Sequence, residues 1–279
     1  MEVRIKPGIL YIVPTPIGNL SDMTFRAVEV LKSVSLIGAE DTRDSAYLLK
    51  HYEIETPTVS YHKFNEKSRV NMILGKLRRG EDVAIITDAG TPGISDPASI
   101  IISEAINSGI EVSTLPGATA FLPALVSSGL STERFTFIGF LPAKSSRQKE
   151  LFSRIEESPE TLIFYEAPHR IYTFLETLYK HLGNRKVAIA REISKKFESY
   201  YRGELLYFLE HRDIITTKGE FVIICDGFKG VEVSDEQVVE LIKSYLEEGE
   251  SKSSVLAKVC SELNLPKNRV YKLVLEVTS

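Results

Sequence analysis

From residue 9 to about residue 228, short apolar runs of strand length alternate with stretches of helical periodicity, and this alternation constrains the fold more than anything else in the chain. Parallel strands cannot be joined by a tight turn; they need a crossover, and a helix that lays an apolar stripe on the sheet supplies one. The apolar runs predict strands at Ile9–Val13, Val34–Gly38, Thr58–Tyr61, Val83–Thr87, Val112–Leu115, Phe135–Phe140, Thr161–Tyr165, Val187–Ala190 and Phe221–Cys225, with a further one near Glu198–Tyr201. Between them Ala27, Val30, Leu31 and Val34 recur at i, i+3, i+4, i+7, as do Val70, Ile73, Leu74 and Leu77. Asp96-Pro97 reads as an N-cap followed by proline at the first helical position, and Ala167-Pro168 as a second helix start. The expected class is α/β with mainly parallel sheets.

A chain of 279 residues exceeds the usual single core, which favours two compact domains with a small appendage. After Gly230 the period changes. Ser234 and Gln237 form a capping box before Val238–Leu246, and helices follow near Ser253–Leu263 and Lys267–Val277, separated by Asn264-Leu265-Pro266. The last two helices have helix-turn-helix spacing, yet residues 231–279 carry six Lys/Arg against nine Asp/Glu, which weighs against groove binding. Docking, substrate positioning and plain capping of the fold stay open for this segment.

Several function classes are excluded or disfavoured. The formal net charge of −4 rules out nucleic-acid binding by a global positive field, so any such contact must be local. Cys225 and Cys260 form no C-x-x-C pair, which argues against zinc or a disulfide framework and suits a reducing cytoplasm. Met1 to Gly8 lacks an apolar signal core, and no run approaches the roughly 20 apolar residues of a membrane span. Val13-Pro14-Thr15-Pro16 offers no G-x-G-x-x-G turn, and neither a P-loop nor a G-x-S-x-G elbow occurs.

Turn residues gather after strands, in Pro14–Leu20, Glu40–Arg43, Asp88–Gly93 and Pro116–Ala120. In a parallel sheet these positions share the carboxyl edge, where α/β proteins place ligands. Glycines there let free backbone N–H and C=O groups approach a ligand closely. Each loop taken alone is equally well explained as punctuation between strand and helix. Residue types alone therefore reach a polar carboxyl-edge cleft and no named ligand.

The loops taken together carry a resemblance. VPTPIGNL (13–20), EDTR (40–43), TDAGTPGISDP (87–97), LPGATA (115–120), GFLP (139–142), YEAPHR (165–170), REISKKFE (191–198) and KGEFV (218–222) stand in the collinear order of the ribosomal RNA small subunit methyltransferase I family, within the tetrapyrrole methylase-like fold. The resemblance implies two tandem unlike α/β domains, residues 1–115 and 116–230, with a three-helix appendage at 231–279. It also implies S-adenosylmethionine in a cleft between the two α/β domains, a homodimer, no membrane partner, and 2′-O-methylation of a cytidine in 16S ribosomal RNA or the small ribosomal subunit. By analogy the cofactor would meet Pro16, Ile17, Asp88, Ala89, Gly90, Thr91, Pro92, Ile94, Ala118 and Thr119, with Tyr165 and Ala190 approaching from the second domain. For Asp88 an Asx-type turn cap is the alternative.

Methyl transfer to a ribose hydroxyl rests on near-attack positioning, worth roughly 7–11 kcal/mol, and a general base adds on the order of 10²–10⁴ in rate. Candidate bases are Glu192 and Lys195, then Glu166 and His169. Lys195 qualifies only where burial or a cationic neighbour lowers its pKa, and Glu192 is equally readable as a partner of Arg191. Arg43, Arg170, Lys195 and Lys196 are expected to line the cleft toward RNA, with Lys144 and Arg147 on an exposed basic loop that is alternatively a solvated helix start. His62 and Asn65 also match family positions. His51, His181 and His211 read as ordinary surface or packing histidines, and no metal site is expected. The rival readings are a same-fold methyltransferase with another acceptor and a non-catalytic RNA-binding or ribosome-assembly module.

Overall fold

The computed structural model describes residues 6–230, 234–263, 265 and 267–278. Clustering of its contacts gives two compact units, Met1–Ser153 with Glu160–Asp226, and Arg154–Pro159 with Gly227–Ser279.

The larger unit holds two five-stranded sheets. The first contains β1 (Leu10–Ile12), β2 (Leu36–Ala39), β3 (Thr58–Ser60), β4 (Val83–Ile86) and β5 (Val112–Thr114), in the order β3-β2-β4-β1-β5 with every pair parallel. Helices α1 (Phe25–Ser33), α2 (Thr42–His51), α3 (Glu66–Arg78) and α4 (Ser99–Asn107) follow the first four strands, and α5 (Phe121–Val126) follows β5. Strands β2 and β4 are buried at every residue, as expected where helices cover both faces of a parallel sheet. The α3 stripe lands as its spacing predicts: Val70, Ile73, Leu74 and Leu77 all join Leu10, Ile12, Val83 and Ile85 in one core. Ala27 and Leu31 of α1 pack with Ile37, Ala84 and Ile86 on the other face. Full burial of such a side chain stabilises the fold by about 1.5–3 kcal/mol.

Asp96-Pro97 does not open α4. That helix starts at Ser99 behind Ala98, which makes no side-chain cap, and the Asp96 carboxylate lies beside the Thr87 side chain instead.

The second sheet contains β6 (Phe135–Phe140), β7 (Thr161–Glu166), β8 (Lys186–Arg191), β9 (Ser199–Glu204) and β10 (Phe221–Cys225), in the order β6-β7-β10-β8-β9. Here the expectation of mainly parallel pairing is corrected. Only β6 and β7 run parallel, whereas β10 is antiparallel to β7 and β8, and β8 to β9. The reason is the connection between β8 and β9, residues 192–198, which contains no helix and returns the chain as an antiparallel neighbour. Helices α6 (Ser145–Ile155), α7 (Ile171–Leu182) and α8 (Leu205–Glu210) complete this half. Pro168–Arg170 forms one 3₁₀ turn leading into α7, with proline at its start as Ala167-Pro168 predicts.

In the smaller unit α9 (Asp235–Glu247), α10 (Lys252–Glu262) and α11 (Lys267–Thr278) close around Val238, Ile242, Val255, Val259 and Val270. The capping box forms: Gln237 N–H donates to Ser234 Oγ at 3.3 Å and Ser234 N–H to Gln237 Oε1 at 3.0 Å. Asn264 and Pro266 of the expected break, and Met1–Ile5 of the N-terminal segment, lie outside the described residues. Among the described residues no helix is long and apolar enough to cross a membrane.

Candidate active site

Parallel pairing brings the loops after β1, β2, β4 and β5 to one edge, and hydrogen bonds then stitch them together. Thr15 and Gly90 exchange backbone bonds at 2.9 Å in both directions, and Thr15 Oγ1 donates to the Thr87 carbonyl at 2.9 Å. Thr91 Oγ1 donates to the Ala118 carbonyl at 3.0 Å, and Asp41 N–H to Asp88 Oδ1 at 3.0 Å. Asp88 is thus a tie between two loops, not a local Asx turn. Gly90 uses its N–H and C=O on Thr15, so the expectation of free backbone groups fails at that residue.

A cavity of about 480 Å³ opens at this edge, within the range of about 300–1,000 Å³ usual for small-molecule sites. Ile17, Asp88, Ala89, Gly90, Thr91, Ile94, Thr119 and Tyr165 lie on its wall, together with Glu166. Pro16 and Pro92 are buried behind it, Ala118 meets it only through the Thr91 bond, and Ala190 sits beside Val222 in the sheet without lining it. Burial raises the Tyr165 pKa, opposed by the Thr119 side chain and the Phe121 backbone beside its hydroxyl. Phe137 and Phe140 pack edge-on against its ring at 5.1 and 5.6 Å.

Sequence reasoning missed part of the wall. Glu40, Thr87, Ser95, Asp96, Phe140 and the segment Glu220–Val222 also line the cavity. Glu220–Val222 lie at the beginning of β10, and an antiparallel strand presents its start where a parallel one presents its end. A search confined to loops after strands passes over it, although KGEFV stood among the matching blocks. The β-bulge at Gly139, with φ of 72°, admits the 94–96 loop: a Cβ there would lie 3.2 Å from Ser95 Oγ.

The cavity is acidic. Thr87 Oγ1 donates to Glu40, and burial followed by repulsion from Glu40 and Asp88 pushes Asp96 up to about 6, with the neighbouring Thr87 hydroxyl opposing. Asp88 is also raised, first by burial and then by Glu40, Asp44 and Asp41, against the bond from the Asp41 N–H. Among the described residues no lysine or arginine lies on this wall.

Arg43, Arg170, Lys195 and Lys196 do not line the cavity, contrary to expectation. Three of them are turned onto carboxylates: Arg43 on Asp41 at 2.7 Å, Arg170 on Glu166 at 2.6 Å, and Lys195 on both Glu192 at 2.9 Å and Glu220 at 2.8 Å. Lys196 is exposed, 5.6 Å from the Phe197 ring centroid. Burial lowers the Lys195 pKa, but Glu220 and Glu192 outweigh it and the net shift is upward, so the condition for a lysine base is not met. Burial raises Glu192, yet Lys195 and the Glu220 N–H prevail and lower it.

The segment carrying these residues is a clasp. Lys195 lays its stem over Gly18, whose added Cβ would fall 2.3 Å from Lys195 Cγ, and the Ser194 hydroxyl bonds the Asp22 carboxylate. His169 is exposed and off the cavity, as are Lys144 and Arg147, which stand at the start of α6, not on a free loop. His62 closes a turn with Asn65, and His181 stacks on Phe152 at 4.3 Å, a packing role.

Residues 9–206 match the model of the tetrapyrrole (corrin/porphyrin) methylases. A ribosomal RNA small subunit methyltransferase I of Synechocystis sp. is 42% identical over 278 residues, covering 97% of this chain and 98% of the relative. The Bacillus subtilis protein of that name is 41% identical, covering 95% and 93%. The chain belongs to the ribosomal RNA small subunit methyltransferase I family. Its fold recurs in solved structures of much lower identity. The methyltransferase CobJ superposes with a TM-score of 0.59 at 19% identity, covering 81% of this chain and 97% of that one. A diphthine synthase gives 0.59 at 12%, covering 78% and 90%.

Proposed function

We propose that this chain uses S-adenosylmethionine to 2′-O-methylate a cytidine of 16S ribosomal RNA in the small ribosomal subunit. The observation that carries the reading is the cavity itself: its wall combines apolar Ile17, Ile94, Phe140 and Val222 with Glu40, Asp88 and Asp96, and no basic residue lines it among the described residues. Such a site disfavours anions and suits a cation with an apolar body. When bound, S-adenosylmethionine supplies an electrophilic methyl group on a cationic sulfur. Ile17, Asp88, Ala89, Gly90, Thr91, Ile94, Thr119 and Tyr165 would hold it, with Pro16, Pro92, Ala118 and Ala190 supporting them from behind.

The protein's own contribution is to position and to take a proton. Two carboxylates on the wall suit the ribose hydroxyl. Glu166 has Oε1 held by Ala167 N–H at 2.7 Å and Arg170 at 2.6 Å, whereas Asp96 titrates at about 6, close to the working pH that a general base requires. Asp96 is the better matched acceptor, and Glu192 and Lys195 act through the clasp. Because the cavity is acidic, phosphates belong at its margin, where Arg43, His62, Lys144, Arg147, Arg170 and Lys196 are available. The same reading divides the chain into domains at 1–115, 116–230 and 231–279, and takes it as a cytoplasmic homodimer, which the family resemblance supports.

S-adenosylmethionine at a hundredfold excess over its dissociation constant should stabilise the folded chain by about 2.7 kcal/mol, read as a higher melting temperature. Labelled methyl should pass to small subunits lacking the modification and map to one ribose. An unchanged melting temperature at millimolar cofactor, or label on a base or on protein, would overturn the reading.

A further inference from the structure

Phe64 is 95% exposed, and its surroundings set it apart from the scattered surface apolar residues that need no explanation. It follows β3, which pairs in parallel with β2, so its turn and the Arg43 turn leave the sheet side by side at the carboxyl edge that bears the cavity. The Phe64 turn is rigid. His62 N–H donates to Asn65 Oδ1 at 2.9 Å, Phe64 N–H to His62 Nδ1 at 3.2 Å, and Asn65 Nδ2 to the Ser60 carbonyl at 3.1 Å. The His62 ring meets the Phe64 ring edge-on at 6.0 Å, leaving the Phe64 faces outward.

Two cations flank it. Lys63 and Lys67 are exposed, three residues or fewer from Phe64 along the chain, although the chain as a whole carries −4 and the nearby Arg43 is paired with Asp41 at 2.7 Å. An exposed aromatic face flanked by cations is the arrangement on which unpaired nucleobases stack while their phosphates are neutralised. The hydrogen-bonded turn sets the Phe64 backbone in advance, which lowers the ordering cost of binding.

We propose that Phe64 is a stacking platform for an unpaired base of the substrate RNA, with Lys63 and Lys67 taking the adjoining phosphates. This inference rests on the RNA-methyltransferase reading above and adds the contact that seats the strand beside the acidic cavity. It accounts for how an acidic protein engages a polyanion: attraction is confined to one rim, and the cavity admits only the sugar that is to be modified.

The test uses the full-length chain and purified small ribosomal subunits lacking the methyl group. Subunit affinity is measured by co-sedimentation, S-adenosylmethionine affinity by calorimetry, and assembly state by analytical ultracentrifugation. Phe64→Ala should weaken subunit binding roughly 5- to 100-fold, the loss of one stacked base. S-adenosylmethionine affinity and assembly state should stay at wild-type values, and Phe64→Tyr should restore subunit binding. Subunit affinity of Phe64→Ala equal to wild type overturns the proposal. A changed assembly state in Phe64→Ala also overturns it, because the ring would then face a second copy of the chain. Failure of the wild-type protein to bind S-adenosylmethionine or methylate the subunits is a different result, which removes the functional reading itself.

Discussion

The two sheets place carboxylates at the same site and treat them in opposite ways. Glu40, Asp88 and Asp96, from loops of the first sheet, face the cavity with no cation on its wall, and both Asp88 and Asp96 are held above their ordinary pKa. Glu166 and Glu220, from the second sheet, each carry a basic partner, Arg170 and Lys195, and Glu192, off the wall, shares that lysine and is held below its ordinary value. Charges that the protein neutralises itself are part of its architecture. Charges it leaves facing a cavity await something else, and in the function proposed above a cationic cofactor and a transferable proton would meet that need.

The largest effect expected from this contrast is at Asp96. Asp96→Asn should lower the methyl-transfer rate by on the order of 10²–10⁴ if Asp96 takes the proton. Stability should move the other way. Because the folded pKa of about 6 exceeds the ordinary 3.8, the protonated form stabilises the fold at low pH, and this contribution is lost as pH rises through about 6. Urea unfolding should therefore find Asp96→Asn more stable than wild type at pH 8 by roughly 1–2 kcal/mol, after discounting for partial exposure, with the gap closing near pH 4. A variant that is both inactive and less stable at pH 8 would place Asp96 among the structural charges instead.

Arg170→Ala tests the opposite class. Glu166 has a side chain only 3% exposed, and removal of its cation leaves a buried carboxylate held by the Ala167 N–H alone among the bonds described above. Breaking a fully buried pair costs about 3–5 kcal/mol, and with the arginine 44% exposed a loss of roughly 1–3 kcal/mol is expected in denaturant unfolding. Arg170→Ala together with Glu166→Gln should recover most of it. No recovery in the double variant would mean that Arg170 stabilises by something other than charge.

The positions of all ten strands were legible because apolar runs bounded by turn residues report burial directly. The direction of β10 was not, since periodicity marks a strand without saying which way it runs, and the cavity wall at Glu220–Val222 was lost with it. Asp96 was visible as a residue type but read as a helix cap. Only the Thr87 hydroxyl, distant in sequence, reveals why its carboxylate turns inward. The cations after the strands were expected in the cleft because a sequence shows charge without its partner. Arg43, Arg170 and Lys195 each found a carboxylate within a few residues along the chain.

Lys195 gives the smallest effect and the finest division between the two classes. Its ammonium joins Glu192 and Glu220 while its stem fills the space over Gly18, so charge and packing are separable in one side chain. Lys195→Met keeps the stem and should cost about 1 kcal/mol, the worth of partly exposed charged hydrogen bonds. Lys195→Ala should cost more, because long side chains also stabilise by covering apolar and backbone surface. Since the ammonium pKa is raised, activity should show no new ionisation near neutral pH when it is removed. If Lys195→Met instead abolished the alkaline limb of the pH–rate profile with stability intact, the lysine would be a proton carrier, and the division between neutralised and waiting charges would have to be redrawn through the clasp itself.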